Sequence, residues 1–164
     1  MLTAFKSKRG LYILLSMKIL AFDISKKATG VAFYDGTLDS DSLETIEFKD
    51  SVSWGKRIGE IIDKWNPDVI TFSETVNRMC SHTTKRILYG LMFMLEHLAY
   101  KREIHIIPIN DSQAKGFICI KFRKRIDIKD ATIKWANQTF DIEATEDEAD
   151  AISFAHYMNN VLSD

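Results

Sequence analysis

The chain is poor in several things at once. Its 164 residues include only 2 cysteines, 2 prolines and 7 glycines. Cys80 and Cys119 can build neither a disulfide framework nor a four-cysteine zinc site, and they read as ordinary thiols of a reducing compartment. So little glycine and proline leaves no room for flexible linkers, and there is no low-complexity tract or internal repeat. No run approaches the ~20 apolar residues that span a bilayer. Leu11 to Phe22 is greasy and follows basic residues. However, Lys18 interrupts it, no small-residue cleavage site follows, and it leads straight into Asp23, so it does not read as a signal peptide. No membrane partner is expected, and the expected location is cytoplasmic. No Walker loop is present, Gly30 alone is no phosphate cradle, and neither a Ser-His-Asp nor a Cys-His arrangement offers a nucleophile.

What is present is an ordinary globular composition, 46% hydrophobic and 27% charged, which fits a single domain with a proper core. At this length folding buries roughly two-thirds of the chain's surface. The net charge of −1 hides a segregation. Lys6, Lys8, Arg9, Lys18, Lys26 and Lys27 face only Asp23 in the first 27 residues. Arg78, Lys85 and Arg86 lie in a second basic stretch. A third holds Lys115, Lys121, Arg123, Lys124, Arg125, Lys129 and Lys134 against Asp127 and Asp130. Acids gather in 35–50 and again in 141–150, where there is no base. A nearly neutral chain with separated blocks can present a basic face to a polyanion. Solvated faces of alternating sign account for the same pattern.

Hydrophobic periodicity gives the order of elements. Residues 18–23 (KILAFD) form a short apolar run ending in a carboxylate, and 29–34 (TGVAFY) are closed by the turn signal Asp35-Gly36. Residues 43–48 (LETIEF) alternate with period two. These three strands predict an antiparallel meander. Val52, Ile58, Ile61, Ile62 and Trp65 then fall at helical spacing, stopped by Asn66-Pro67. A strand is expected at 69–73 (VITFS), which again runs into a carboxylate, Glu74. A long helix follows over 87–99, a fifth strand at 104–109 (IHIIPI), and helices near 130–140 and 146–162. A meander followed by βα units predicts an α/β fold. Its sheet is mixed and five-stranded, three antiparallel strands then two parallel ones, flanked by helices; right-handed crossovers put the fourth strand beside the first. This is the ribonuclease H-like topology. Met17 offers a second start, so residues 1–16 are expected to be an extension outside a domain of residues 17–164.

Asp23 and Glu74 each end an apolar run expected at the middle of the sheet, and sites in such sheets form at the carboxyl ends of strands. A third group is Glu146-Asp147-Glu148-Ala149-Asp150. Asp147 and Asp150 are three apart and share a helix face. The helix dipole explains acids in a first turn, but Asp150 sits between Ala149 and Ala151 where burial begins, and a buried carboxylate needs a partner or a metal. Asp23, Glu74, Asp147 and Asp150 converging at one sheet edge would repel one another unless divalent cations held them. Magnesium is the natural choice where the substrate brings phosphate oxygens. Two ions ~3.5–4 Å apart suit phosphodiester cleavage.

KILAFDISKKATGVAFYDG, DVITFSET and EDEADAISFAHY, in this order and spacing, resemble the RuvC family of Holliday-junction resolvases in the ribonuclease H and retroviral integrase superfamily, over about residues 17 to 160. The resemblance implies a catalytic tetrad on Asp23, Glu74, Asp147 and Asp150. It also implies two Mg2+ ions (Mn2+ able to substitute), a homodimer, and paired nicks across a four-way junction. It places lysines near the scissile strand, and Lys115 and Lys129 occupy corresponding contexts. The expected DNA contacts are these two lysines, Lys115 and Lys129, together with Arg78, Lys85, Arg86, Lys121, Arg123, Lys124 and Arg125 of the basic stretches. The sequence departs from the family where Ile24-Ser25 replace a Pro-Gly after the first aspartate, and where Asn77 stands at a position often aromatic. A phage-type member acting on branched DNA broadly, in a bacterial cell or phage-infected host, suits the small size.

Two alternatives stand beside this reading: an RNA-processing nuclease of the same superfamily, and a non-catalytic junction-binding module that has kept the fold. An actin-like ATPase would need a duplicated half that 164 residues cannot supply. The run Leu91 to Leu95, apolar on more than one helix face, reads as core or as a dimer interface. His82 and Thr83-Thr84 read as a DNA-contacting loop or as a helix cap at Ser81 or Thr84. His105 reads as a core residue, His156 as a neighbour of the site or a packing group, and Trp54, Trp65 and Trp135 as packing groups.

Overall fold

In a computed structural model, the backbone is described for residues 4–7, 10–13, 17–74, 76, 80–118 and 125–163, with side chains from residue 17 onward except that of Arg125. Strands β1 (Ala4–Ser7) and β2 (Gly10–Ile13) pair with each other as an antiparallel hairpin, a two-stranded sheet of their own. The main sheet holds β3 (Ile19–Ile24), β4 (Ala28–Tyr34), β5 (Leu43–Glu47), β6 (Val69–Ser73) and β7 (His105–Ile109) in the order β5-β4-β3-β6-β7. The β3–β4 and β4–β5 pairs are antiparallel, while β3–β6 and β6–β7 are parallel. The expected mixed sheet is therefore the one found, with the fourth of its strands beside the first.

Among the described residues five α-helices cover the sheet: α1 (Ser51–Trp65), α2 (His82–Tyr100), α3 (Asp111–Phe117), α4 (Arg125–Phe140) and α5 (Glu146–Ser163). Their ends follow local chemistry. Asp50 accepts hydrogen bonds from the Val52 and Ser53 amides to start α1, and Asn66 takes the left-handed conformation (φ 43°) that closes it before Pro67. Ser81 accepts from the Thr84 amide, so His82, Thr83 and Thr84 form the first turn of α2, and the cap reading of this segment is the one found. α4 begins at Arg125, earlier than the periodicity indicated, so Lys129 lies within a helix. Lys115 likewise sits on α3.

The strand pleat sorts side chains to two faces. Leu20, Phe22, Ile70 and Phe72 join Ile58, Ile62, Leu91 and Leu95 in the core beneath α1 and α2. Ile19, Ala21 and Val69 pack under Phe154, Ala155 and Met158 of α5 on the other face. Trp54 is buried and donates from Nε1 to Thr29 Oγ1 at 2.9 Å. Trp65 stacks on Phe33 at 4.2 Å between centroids. His105, expected in the core, is instead exposed, because β7 is an edge strand. Among the described residues no helix is long and apolar enough to cross a membrane.

Candidate active site

The odd residues of β3 face α5, so Asp23 follows Ile19 and Ala21 to that side. Its register partner is Gly30 on β4. A Cβ on Gly30 would stand 2.0 Å from the Asp147 carbonyl oxygen. The missing side chain thus lets the first turn of α5 lie directly on the sheet next to Asp23.

That turn is fixed by a reciprocal cap. The Glu148 amide donates to Thr145 Oγ1 at 3.3 Å, and Glu148 Oε2 accepts from the Thr145 amide at 2.9 Å. Glu148 Oε1 also accepts from Thr45 on β5 at 3.0 Å. Glu148 is therefore a structural acid, and Asp147 and Asp150 are left facing β3.

The result is a cluster of carboxylates under mutual stress. Burial, and then the charges of Asp150 and Asp147, push the pKa of Asp23 from 3.8 up to about 8, against a smaller opposing pull from Lys115. Burial also raises Asp150, with Lys115 opposing it, and raises Asp147, with Lys129 opposing it. The Lys115 ammonium stands 3.0 Å from Asp150 Oδ1, both side chains being 14% exposed. That oxygen is buried, and the ammonium is its hydrogen-bond partner. Lys129 on α4 is ion-paired with Glu146.

Of the residues singled out from sequence, the structure brings Asp23, Asp147, Asp150 and Lys115 together, with Lys129 at the margin. Glu74 is placed differently. Phe22 is in register with Phe72, so the residue level with Asp23 is Ser73, and Glu74 continues the opposite parity of Ile70 and Phe72. Its amide donates to the Ile109 carbonyl at 3.0 Å. Its exposed side chain lines a cleft of about 260 Å³ with Tyr89, Met92, Phe93, Glu96 and Pro108, on the α2 side. Lys85 and Arg86 lie in the N-terminal half of α2. Arg78, Lys121, Arg123 and Lys124 lie outside the described residues, and Arg125 is described only as the backbone start of α4. His156 packs among Phe117, Trp135 and Phe140 at 5.4–5.9 Å between ring centroids, and burial lowers its pKa. Gly30 and the Thr145–Glu148 cap were missed from sequence; T-x-x-E ahead of an apolar run was the available signal for the cap.

Several hard oxygen donors, destabilised by burial and by one another, are the donor chemistry of a magnesium or manganese site. As the side chains are placed, no three His, Cys, Asp or Glu residues among those described stand close enough to hold an ion. The donors fit by type and by face of the sheet, and an ion would have to displace the ammonium from Asp150.

No family model and no curated protein matches the chain. Solved structures do. The chain is similar to RuvC of T. thermophilus in complex with a Holliday junction substrate, with a TM-score of 0.73 at 10% identity, covering 90% of this chain and 96% of that one. It is similar to the Fowlpox virus resolvase bound to Holliday junction DNA, with a TM-score of 0.64 at 18% identity over 90% and 100% of the two chains. It is also similar to the yeast mitochondrial Holliday junction resolvase Ydc2, with a TM-score of 0.65 at 13% identity over 90% and 80%. The chain has the ribonuclease H-like fold, and it is the form of that fold seen in Holliday-junction resolvases.

Proposed function

We propose that this protein is a metal-dependent, structure-selective endodeoxyribonuclease that resolves four-way junctions and other branched DNA by paired nicks. The observation that carries the reading is the grouping of Asp23, Asp147 and Asp150 at the carboxyl end of the central strand, where burial and mutual repulsion hold Asp23 up to about 8. Lys115 opposes the raised pKa of Asp23 and Asp150, and Lys129 that of Asp147; acids raised by burial and by one another in this way are the mark of a candidate functional site.

Asp23, Asp147 and Asp150 would hold the Mg2+ or Mn2+ ions; Glu74, which opens into the cleft on the α2 side, is left out of that set. A divalent pair supplies an activated water and a stabilised leaving oxygen in phosphodiester hydrolysis. The protein's own groups do the rest. Lys115, already inside the cluster, places a positive charge beside the scissile phosphate. Lys129, Lys85 and Arg86, together with Arg78, Lys121, Arg123, Lys124 and Arg125, hold backbone phosphates and fix the strand without reading bases. Two symmetric nicks require two sites, which a homodimer supplies. Tyr89, Phe93 and Tyr100 are 58%, 71% and 82% exposed on α2, and this aromatic stripe suits the contact between two copies.

The test compares the wild-type chain with Asp23→Asn on a synthetic four-way junction. Asp23→Asn is expected to bind the junction as the wild type does and to lose magnesium-dependent cleavage. Calcium is expected to support binding without cutting by the wild type. Full cleavage by Asp23→Asn would remove the mechanism, and preferential cutting of structured RNA would move the substrate to RNA.

A further inference from the structure

Lys115 has two acids, not one. Its ammonium lies 3.0 Å from Oδ1 of Asp150 and 3.1 Å from Oδ1 of Asp111. Asp111 opens α3, one helical turn before Lys115 and on the same face. It was not among the residues assigned from sequence, yet it faces the cluster, since its charge helps to raise both Asp23 and Asp150. Burial works against the charge on Lys115, but Asp150 and Asp111 more than offset it and lift its pKa above that of an ordinary lysine. The two carboxylates are not equivalent. Asp150 is 14% exposed, and Asp111 is 37% exposed, at the outer edge of the cluster.

A cation entering at Asp150 must compete with the ammonium already there. With Asp150 as its only partner, Lys115 would be left as a nearly buried unpaired charge once displaced, a costly state. A second carboxylate within reach removes most of that cost. We infer that Asp111 is a positioning residue, a second seat that receives the Lys115 ammonium when a divalent cation claims Asp150 and keeps the lysine at the edge of the site. The inference rests on the metal-dependent reading above and adds to it a route by which one charge is exchanged for another.

A double-mutant cycle on the DNA-free chain tests it, with Mn2+ affinity measured by calorimetry for wild type, Asp111→Asn, Lys115→Met and the double variant. Asp111→Asn is expected to weaken Mn2+ binding by about fivefold or more while Lys115 is present, and by no more than about twofold in the Lys115→Met background. Lys115→Met alone is expected to tighten binding, since it removes the competitor. Asp111→Glu, which keeps a carboxylate, is expected to stay within about twofold of wild type. Equal weakening by Asp111→Asn in both backgrounds would mean that Asp111 acts only through its own charge, and would overturn the exchange alone. A wild-type chain that binds no Mn2+ would overturn the metal reading and the exchange together. If Asp111→Asn does not fold, Asp111→Ser enters the same cycle and is judged by the same coupling.

Discussion

Asp23 makes the stability of the metal-free protein depend on pH in a direction opposite to that of most carboxylates. In the folded chain its pKa is pushed from 3.8 up to about 8. Between those values the folded state keeps a proton that the unfolded state has released. The folded state therefore binds more protons, and stability falls as pH rises, by about 1.4 kcal/mol per pH unit from this one group. The contribution is fully present below pH 3.8 and is lost by the time pH passes about 8. Asp23→Asn isolates it. Asparagine matches the neutral acid in size and cannot ionise, so across this window the two folded proteins carry the same charge at this position and only the unfolded chains differ. Urea unfolding in EDTA at pH 5, 6 and 7 should show the wild type losing roughly 2–3 kcal/mol relative to Asp23→Asn across those two units. Asp147 and Asp150 are raised too, but they are common to both proteins. Divalent cations should then stabilise the wild type more than the variant, as expected of a ligand that binds only the folded site. Stability curves that run parallel from pH 5 to 7 would show that Asp23 ionises freely, and the buried cluster would be wrong.

Two further predictions concern the scaffold. Gly30→Ala places a Cβ where the Asp147 carbonyl now lies. It should cost about 3 kcal/mol by urea unfolding and, by shifting the start of α5, reduce junction cleavage far more than junction binding; a variant as stable and active as wild type would contradict the close approach. Replacing both Tyr89 and Phe93 with serine should convert a dimer into a monomer in sedimentation velocity without loss of helical signal, whereas a wild type that is already monomeric at micromolar concentration would remove the α2 interface.

Three of the strands were legible because a marked residue bounds each: Asp23 at the end of an apolar run, Asp35-Gly36 after 29–34, and Asn66-Pro67 ahead of 69–73. Helix starts were less so. The first turn of α2 is His-Thr-Thr-Lys-Arg, a polar stretch with weak helix propensity, and it is helical because Ser81 caps it and Leu88, Leu91 and Leu95 behind it are anchored in the core. The hairpin of β1 and β2 went unread because residues 1–16 read as an extension ahead of Met17. Within the site, Asp23, Asp147 and Asp150 were visible as acids next to apolar runs. Two things were not visible. The register between β3 and β6 decides that Ser73, not Glu74, is level with Asp23, and register is a property of the paired strands that neither shows alone. Gly30 looked like an isolated glycine because its reason lies 117 positions away, at Asp147.

The central claim is that acids from β3 and α5 form a metal-dependent nuclease site for branched DNA, and mapping nicks on all strands of a synthetic four-way junction with magnesium or with EDTA tests it most directly. Paired nicks at symmetric positions on opposing strands, present with magnesium and absent with EDTA, are the predicted result. An intact junction under both conditions, or cutting that EDTA leaves unchanged, would contradict it.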